Sequence, residues 1–158
     1  MHVVVTGGAG FLGSRLAREL LAAGSLAVAG GAPRALSRLT LVDQVPVPPD
    51  LAADSRVTVV LGDLGDPGFA QDALAGAELI FHLAAAVSGE CEADFDLGLR
   101  ANLQATQAVL ASCRALGTSP VVVFTSSLAV FGGSAETVIA DDTWPVPKIG
   151  RASCRERV

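Results

Sequence analysis

The chain has 158 residues, of which 51% are hydrophobic and 17% charged, so it is long and apolar enough for one folded domain. A net charge of −5 disfavours binding to nucleic acid, and no apolar run reaches the roughly 18 residues of a membrane span. The three cysteines are odd in number and lack CxxC spacing, which predicts neither a disulfide framework nor a metal site and favours the reducing cytoplasm.

Five apolar runs of strand length alternate with helical segments. The runs are rich in β-branched residues and lack polar alternation, which is typical of strands buried on both faces of a parallel sheet. The predicted strands are residues 3–6, 39–43, 57–61, 78–83 and 121–125. The predicted helices are residues 10–23, 67–74 behind an Asp66 N-cap, and 92–116. This alternation predicts an α/β fold of the Rossmann type, a doubly wound parallel sheet truncated after about five strands.

The remaining segments are predicted to be loops. The link 24–38 is longer than most connections and is predicted to form a surface excursion, and residues beyond Phe131 have loop composition. The segment 148–158 then contains Lys148, Arg151, Arg155 and Arg157 against a single acidic residue, Glu156. We expect residues 1–147 to be an incomplete domain and residues 148–158 to be a non-native remnant, the alternative being an ordinary short basic tail.

A glycine-rich turn follows the first predicted strand. Gly7, Gly10 and Gly13 form the pattern GxxGxxG and lead into a helical segment. Glycines permit a tight turn and close approach of the backbone to a pyrophosphate, and free N–H groups where the helix begins, around Phe11 and Leu12, attract its negative charge. The strand before the motif and the helix after it favour dinucleotide binding over a purely structural turn.

Residues at the ends of the next three predicted strands extend this site. Asp43 is placed to accept hydrogen bonds from the ribose hydroxyls of NAD and to repel the 2′-phosphate of NADP, although a turn Asp is also common there. Asp63 is a candidate acceptor for the adenine amino group, with Leu64 packing on the ring, and an Asx-turn explains Asp63 equally well. Ala84 and Ala85 leave room for the nicotinamide ribose or simply pack tightly.

Two further polar positions lie at the fourth and fifth predicted strands. His82 is inside a strand, where a core residue with one satisfied nitrogen is favoured over a catalytic base. Ser126 and Ser127 follow the fifth strand, at the edge where parallel sheets bind ligands, and are candidates to hold a substrate hydroxyl or carbonyl group. No G-x-S-x-G pattern surrounds them, which argues against a nucleophile.

Together these motifs resemble the extended short-chain dehydrogenase/reductase family, also called the NAD-dependent epimerase/dehydratase family. The resemblance covers residues 1–147 and rests on TGGAGFLG from Thr6, Asp43, GDL from Gly62, HLAA from His82, Asn102, and SSLAVFG from Ser126. It implies that the three glycines cradle the pyrophosphate of NAD, that Asp43 binds the ribose and that Asp63 binds the adenine. It also implies a small-molecule substrate and leaves a homodimer open for the complete protein.

The resemblance further implies a catalytic site that this chain does not complete. Asn102 would stabilise the active site through the central helix, and Ser127, with Ser126 beside it, would orient the substrate. The family's general acid/base is the tyrosine of a Tyr-x-x-x-Lys pair, whereas this sequence contains no tyrosine, and Lys148 lies too early to be its partner. We expect the family's C-terminal substrate domain to be absent as well. We therefore expect this polypeptide to be inactive.

Three functions stay open from the sequence. The first is NAD-dependent oxidation of a hydroxyl of a small sugar acid such as erythronate, giving a keto acid and NADH. The second is a nucleotide-sugar epimerase or dehydratase, which keeps NAD bound and returns the hydride. The third is a non-catalytic dinucleotide-binding module, because a fold of this type does not by itself specify an activity.

Overall fold

The computed structural model of the chain describes residues 1–131 and 138–145. The strands are β1 (His2–Thr6), β2 (Ser25–Leu26), β3 (Arg34–Ala35), β4 (Arg38–Asp43), β5 (Val57–Leu61), β6 (Leu79–His82) and β7 (Val121–Phe124). The helices are α1 (Phe11–Ala23), α2 (Pro49–Ala52), α3 (Pro67–Ala73), α4 (Ser88–Ala93), α5 (Phe95–Gly98) and α6 (Ala105–Ala115). A π-helical segment, Leu99–Gln104, joins α5 to α6, and a 3₁₀ turn, Leu128–Phe131, follows β7.

Five strands form one parallel sheet in the order β5-β4-β1-β6-β7. The predicted Rossmann-type, doubly wound fold is therefore confirmed, and each of the five predicted strands coincides with an observed strand to within one residue at either end. Successive strands are added outward from β1, first on one side and then on the other. Because all the strands are parallel, the carboxyl ends of β1, β4 and β6 lie at the same edge of the sheet. Ligands of this fold class bind at that edge, where the direction of winding reverses.

The core lies on both faces of the sheet. Val3 and Val5 of β1 pack on one face with helices α1 and α2, while Val4 packs on the opposite face with α3 and α6. All three valines have no exposed surface. Burying a valine of this kind contributes about 1.5–3 kcal/mol, irrespective of the face to which it points. Burial on both faces explains why β1 has no polar alternation in its sequence.

The predicted helix over residues 92–116 is interrupted in the structure. The helical region begins earlier, at Ser88, and breaks at Asp94, whose backbone is extended and whose carboxylate accepts a hydrogen bond from Leu97 N at 3.0 Å. A short acidic side chain competes for backbone donors in this way and so starts a new helix. The π-helical turn that follows places Asn102 opposite the loop after β6.

Two other segments refine the sequence predictions. The link 24–38 is an excursion that contains a two-stranded antiparallel hairpin, β2 with β3. Helix α2 is not predicted from the sequence, and Pro49 occupies its first turn, where the missing N–H costs nothing. The predicted N-cap Asp66 is confirmed, because its carboxylate accepts hydrogen bonds from Gly68 N and Phe69 N at 2.8 and 3.3 Å. Among the described helices, none has the length and hydropathy to cross a membrane.

Candidate functional site

A groove of about 380 Å³ lies at the carboxyl edge of the sheet. Its walls come from the glycine-rich turn after β1, from the ends of β4, β5 and β6, and from the helical region after Val87. The lining residues are Gly7, Ala9, Gly10, Val42, Asp43, Gln44, Val45, Gly62, Asp63, Leu64, Leu83, Ala84, Ala85, Ala86, Glu90, Leu97, Ala101 and Ala105. This volume is within the range of small-molecule and cofactor sites, about 300–1,000 Å³.

The glycine-rich turn has no room for side chains at its two ends. Gly7 has a φ of +73°, and a Cβ there would lie 2.9 Å from the backbone nitrogen of Ala84. A Cβ on Gly13 would lie only 2.0 Å from the carbonyl oxygen of Gly7. Helix α1 therefore packs directly on the turn that precedes it. At the last glycine, the helix contacts the backbone of the turn itself.

The beginning of helix α1 faces the groove without a side-chain cap. Its N-cap is Gly10, and its first turn contains no acidic residue. The first N–H groups of any helix have no acceptor within the helix, so those of Phe11, Leu12 and Gly13 depend on an outside acceptor. Phe11 and Leu12 are 79% and 59% exposed, which leaves the helix end open to solvent. An anion is the natural occupant of such a position.

Asp43 joins the end of β4 to the glycine-rich turn. Its Oδ2 accepts a hydrogen bond from Ala9 N at 2.8 Å, and its Oδ1 accepts from Gln44 N at 2.7 Å and Val45 N at 3.3 Å. The carboxylate thus makes a turn and also lines the groove. Each carboxylate oxygen has about two acceptor sites, so Oδ2 keeps one for a ligand hydroxyl. Both interpretations of Asp43 from the sequence are compatible with this geometry.

Asp63 and Leu64 form the wall of the groove beside β5. Asp63 Oδ1 accepts a hydrogen bond from Gly65 N at 2.8 Å, which is the Asx-turn considered for this position. Its Oδ2 lies 3.4 Å from Arg100 Nε in a partly exposed ion pair that no sequence pattern signalled. Leu64 is buried in the core and also lines the groove. An acceptor and an apolar surface therefore adjoin at this end.

The opposite wall of the groove is the loop Ala84–Ala86. Asn102 is hydrogen-bonded to this loop and does not itself line the groove. Asn102 Oδ1 accepts a hydrogen bond from Ala86 N at 2.8 Å, and Asn102 Nδ2 donates to Ala86 O at 3.1 Å. The contact of Asn102 with the site runs through the backbone of Ala86, whereas Ala84 and Ala85 line the groove directly.

His82 is a core residue, as predicted, and both of its ring nitrogens have partners. Nδ1 lies 2.7 Å from Thr6 Oγ1 and Nε2 lies 3.1 Å from Thr106 Oγ1, while the ring stacks on Phe124 with centroids 5.8 Å apart. The residue is 2% exposed. This burial lowers the pKa of His82 and so favours the neutral ring. Neutrality and position fit a structural role better than that of a base.

Ser126 and Ser127 follow β7, which is the neighbour of β6 in the sheet. The sheet contact continues past β7, because Thr125 N donates to His82 O at 3.4 Å. Both serines are exposed, and neither lines the groove among the described residues. Gly132 of the same motif, Lys148 and Arg151 lie outside the described residues.

The helical side of the groove was missed by sequence reasoning. Glu90, Leu97 and Ala101 line it, and Glu90 also accepts a hydrogen bond from Val87 N at 3.0 Å. Gln44 and Val45 line it as well and could have been found, because they directly follow Asp43. No comparable signal marks the helical residues, since the break at Asp94 decides which of their faces meets the groove.

Comparisons with known proteins identify the family of the chain. Residues 4–154 match the sequence model of the 3-beta hydroxysteroid dehydrogenase/isomerase family. The D-erythronate dehydrogenase of Cupriavidus necator is 54% identical over 144 residues, which are 90% of this chain and 44% of that protein.

Two solved structures show the same likeness. The nucleoside-diphosphate-sugar epimerase from Agrobacterium tumefaciens has a TM-score of 0.77 at 38% identity, covering 93% of this chain and 43% of its own. A double mutant of the dTDP-glucose 4,6-dehydratase DesIV from Streptomyces venezuelae, with NAD and DAU bound, has a TM-score of 0.78 at 27% identity, covering 97% and 47%. The chain thus spans less than half the length of each of these relatives.

Proposed function

The chain belongs to the 3-beta hydroxysteroid dehydrogenase/isomerase family, and on that basis we propose that its groove binds NAD as the cofactor-binding part of an oxidoreductase. The expected resemblance to extended short-chain dehydrogenases/reductases is confirmed by this match and by the relatives. One observation carries the proposal: an uncapped helix N-terminus follows a glycine-rich turn to which Asp43 is hydrogen-bonded. A dinucleotide offers a pyrophosphate to the N–H groups and ribose hydroxyls to the carboxylate.

We propose that the two halves of NAD lie against opposite walls of the groove. The pyrophosphate would lie over the turn, held by Gly7, Gly10 and Gly13 and by the N–H groups of Phe11 and Leu12. Since β4 and β5 lie on one side of β1, Asp43 would receive the adenosine ribose, and Asp63 with Leu64 would receive the adenine. Since β6 lies on the other side, Ala84 and Ala85 would face the nicotinamide riboside.

Titration calorimetry of the 158-residue chain with NAD and NADP tests this assignment. We expect saturable binding of NAD and binding of NADP about tenfold weaker or more, because a 2′-phosphate would lie close to the Asp43 carboxylate. No arginine or lysine lines the groove to offset that repulsion among the described residues. Absence of binding at millimolar NAD, or tighter binding of NADP, would overturn the proposal.

For the complete protein we propose oxidation of a hydroxyl group on a small sugar acid such as erythronate. The identity of 54% to a D-erythronate dehydrogenase supports this substrate class. Ser127, with Ser126 beside it, would hold the reacting hydroxyl, because both follow β7 on the nicotinamide side of the sheet. Bound NAD supplies the hydride acceptor, and a base must take the hydroxyl proton.

The chain itself is expected not to turn over. Its sequence contains no tyrosine, so the group that removes the proton in the family is lacking. Losing such a group costs about 10²–10⁴ in rate. Incubation with NAD and erythronate, followed by absorbance of NADH, should show no product although NAD still binds. Steady formation of NADH at a rate typical of a dehydrogenase would contradict this expectation.

A nucleotide-sugar epimerase or dehydratase is the second candidate, and the likeness to the Agrobacterium tumefaciens epimerase favours it. A non-catalytic dinucleotide-binding module is the third, because the tyrosine is lacking. DNA sequence beyond codon 147, from an independent isolate, separates the three. A Tyr-x-x-x-Lys pair in frame supports an enzyme, and the domain after it distinguishes a sugar acid from a nucleotide sugar. An intact stop codon after Val158 supports the module and contradicts a non-native segment 148–158.

We further propose a reducing, cytoplasmic location, which fits the free thiols of Cys91 and Cys113. A homodimer is proposed for the complete protein. Light scattering coupled to size-exclusion chromatography of that protein would give its mass, and a monomer would contradict the assembly.

A further inference from the structure

A hydroxyl group at the end of β1 determines the tautomer of the His82 ring. Thr6 Oγ1 accepts hydrogen bonds from Leu83 N and Ala84 N, both at 3.2 Å, and it lies 2.7 Å from His82 Nδ1. A hydroxyl has one proton and two acceptor sites. Leu83 N–H is shared with the carbonyl oxygen of Thr6, also at 3.2 Å, and Ala84 N–H points at Oγ1, so the Thr6 hydroxyl proton is directed to Nδ1. The other side of the ring agrees, because the Thr106 hydroxyl proton is used on Asn102 O and Thr106 Oγ1 must accept from Nε2. His82 Nδ1 is therefore an acceptor, and the proton of the neutral ring is on Nε2.

The direction of the next hydrogen bonds follows from that tautomer. His82 Nε2–H donates to Thr106 Oγ1 at 3.1 Å, and the Thr106 hydroxyl donates to Asn102 O at 2.8 Å. The side chain of Asn102 is hydrogen-bonded to both the N–H and the carbonyl oxygen of Ala86. Directed hydrogen bonds thus run from Thr6 to the backbone carbonyl of Asn102, and the side chain of the same residue extends the connection to Ala86. Each member is satisfied, and satisfied buried networks of this kind rigidify their surroundings.

The segment that this network holds is the groove wall Ala84–Ala86. The segment belongs to neither a helix nor a strand. Its three side chains are methyl groups, which cannot anchor it through polar contacts. Ala84 N is fixed by Thr6 at one end, and Ala86 is fixed by Asn102 at the other. The position of this wall therefore depends on the threonines and on the imidazole between them.

We propose that His82 is a positioning residue which, acting through Thr106 and Asn102, sets the wall that receives the nicotinamide riboside. The inference rests on the proposed binding of NAD and names a function for a residue that touches no ligand. A neutral imidazole suits this role because it accepts on one nitrogen and donates on the other, so it can join two hydroxyl groups of opposite orientation. Leucine, with no polar atoms, and protonated histidine, with two donors, both fail to do so.

Titration of the intact chain with two ligands tests the proposal. NAD contacts both walls, whereas ADP contains the adenosine and pyrophosphate and lacks the nicotinamide riboside. Thr106→Val keeps the shape of the side chain and removes the hydroxyl, and Thr106→Ser keeps the hydroxyl. We expect Thr106→Val to lower the affinity for NAD about tenfold and to leave the affinity for ADP unchanged within about twofold. Thr106→Ser should retain the affinity for NAD.

The outcomes separate this inference from the proposed function. If the parent chain binds neither ligand, the proposed function fails. If the parent chain binds both ligands, the positioning role fails when Thr106→Val leaves the affinity for NAD unchanged or lowers the affinities for NAD and ADP equally. It also fails when Thr106→Ser lowers the affinity for NAD as much as Thr106→Val does. Nitrogen NMR of the parent chain gives a second test that needs no variant. A proton on Nε2 of His82 with Nδ1 unprotonated is expected, and the opposite tautomer would overturn the network.

Discussion

At the scale of single residues, the carboxylate of Asp43 combines an observed structural role with the proposed contact to a ligand. It accepts three backbone hydrogen bonds on two oxygens, and the one from Ala9 fixes the glycine-rich turn. A ribose hydroxyl would add to these bonds. The effect of a substitution at this residue therefore combines a change in the turn with a change in ligand contact.

Asp43→Asn should weaken NAD binding, by about tenfold, because an amide has an acceptor on one side only and its NH₂ would face a backbone N–H. Titration calorimetry measures the loss. The same change at Asp50, whose carboxylate pairs with Arg18 on the surface, is the control and should leave NAD affinity unchanged. Equal NAD affinity for the Asp43 variant and the parent chain would contradict a ligand role for Asp43.

The two histidines should give the chain a pH-dependent stability near neutrality. Burial is the largest cause that lowers the pKa of His82 and of His2 below the ordinary value of 6.5. As the pH falls below 6.5, the unfolded chain binds more protons than the folded chain, so folding stability declines toward the lower folded-state pKa. Above 6.5 the full contribution is present.

Urea unfolding between pH 7.5 and 5.5 should show this decline in the free energy of unfolding. The chain has only two histidines, so the double variant His2→Gln/His82→Gln should lose the slope in this window. The single variant His2→Gln should keep the part that belongs to His82. A double variant whose slope parallels that of the parent chain would show that other groups titrate there.

At the scale of elements, helix α1 and the turn before it behave as one unit. The Cβ of an alanine at position 13 would lie 2.0 Å from the Gly7 carbonyl oxygen, which is far inside van der Waals contact. The clash is with backbone, so no side-chain rotation relieves it. Either the helix or the turn must move, and both contribute N–H groups to the proposed pyrophosphate site.

Gly13→Ala should therefore abolish measurable NAD binding and lower the melting temperature. Overpacking of this kind costs about 1–3 kcal/mol or more. Differential scanning calorimetry with and without NAD measures both effects. Gly117→Ala is the matched control, because a Cβ there meets no atom within 4 Å. An alanine at position 13 that binds NAD like the parent chain would require a different packing of α1.

At the scale of the whole molecule, strand β7 forms an apolar border of the described sheet. Val121, Val123 and Phe124 are 40%, 43% and 56% exposed, although the strand contains only apolar residues. Exposed apolar edges of sheets promote pairing between molecules. The chain covers less than half the length of the relatives that it matches, so those proteins contain further residues beyond the matched part.

Val123→Lys should reduce self-association of the 158-residue chain, because a charge on an edge strand opposes edge-to-edge pairing. Dynamic light scattering over a concentration series measures the effect. Gln71→Lys introduces the same charge at an exposed position of helix α3 and should leave the association unchanged. An equal reduction by both variants would indicate an effect of net charge instead of the edge.

Much of the fold and part of the site follow from local patterns in the sequence. Strand positions come from apolar β-branched runs, the start of α3 from the Asp66 cap, and the turn around Gly7 from glycine spacing. These signals are local because capping, turn geometry and hydrophobic periodicity involve residues only a few positions apart. The predicted Asp43, Asp63 and Ala84 do reach one groove because they end parallel strands.

Other features exist only because the strands pair in one order and register. Thr6 meets His82 across 76 residues of sequence, and Asn102 meets Ala86 only after the helix breaks at Asp94. The Arg100–Asp63 ion pair has the same origin. No short pattern encodes such contacts, since they depend on which elements become neighbours. Residue types and spacing thus predict the glycine-rich turn, and packing alone brings the second wall of the groove to face it.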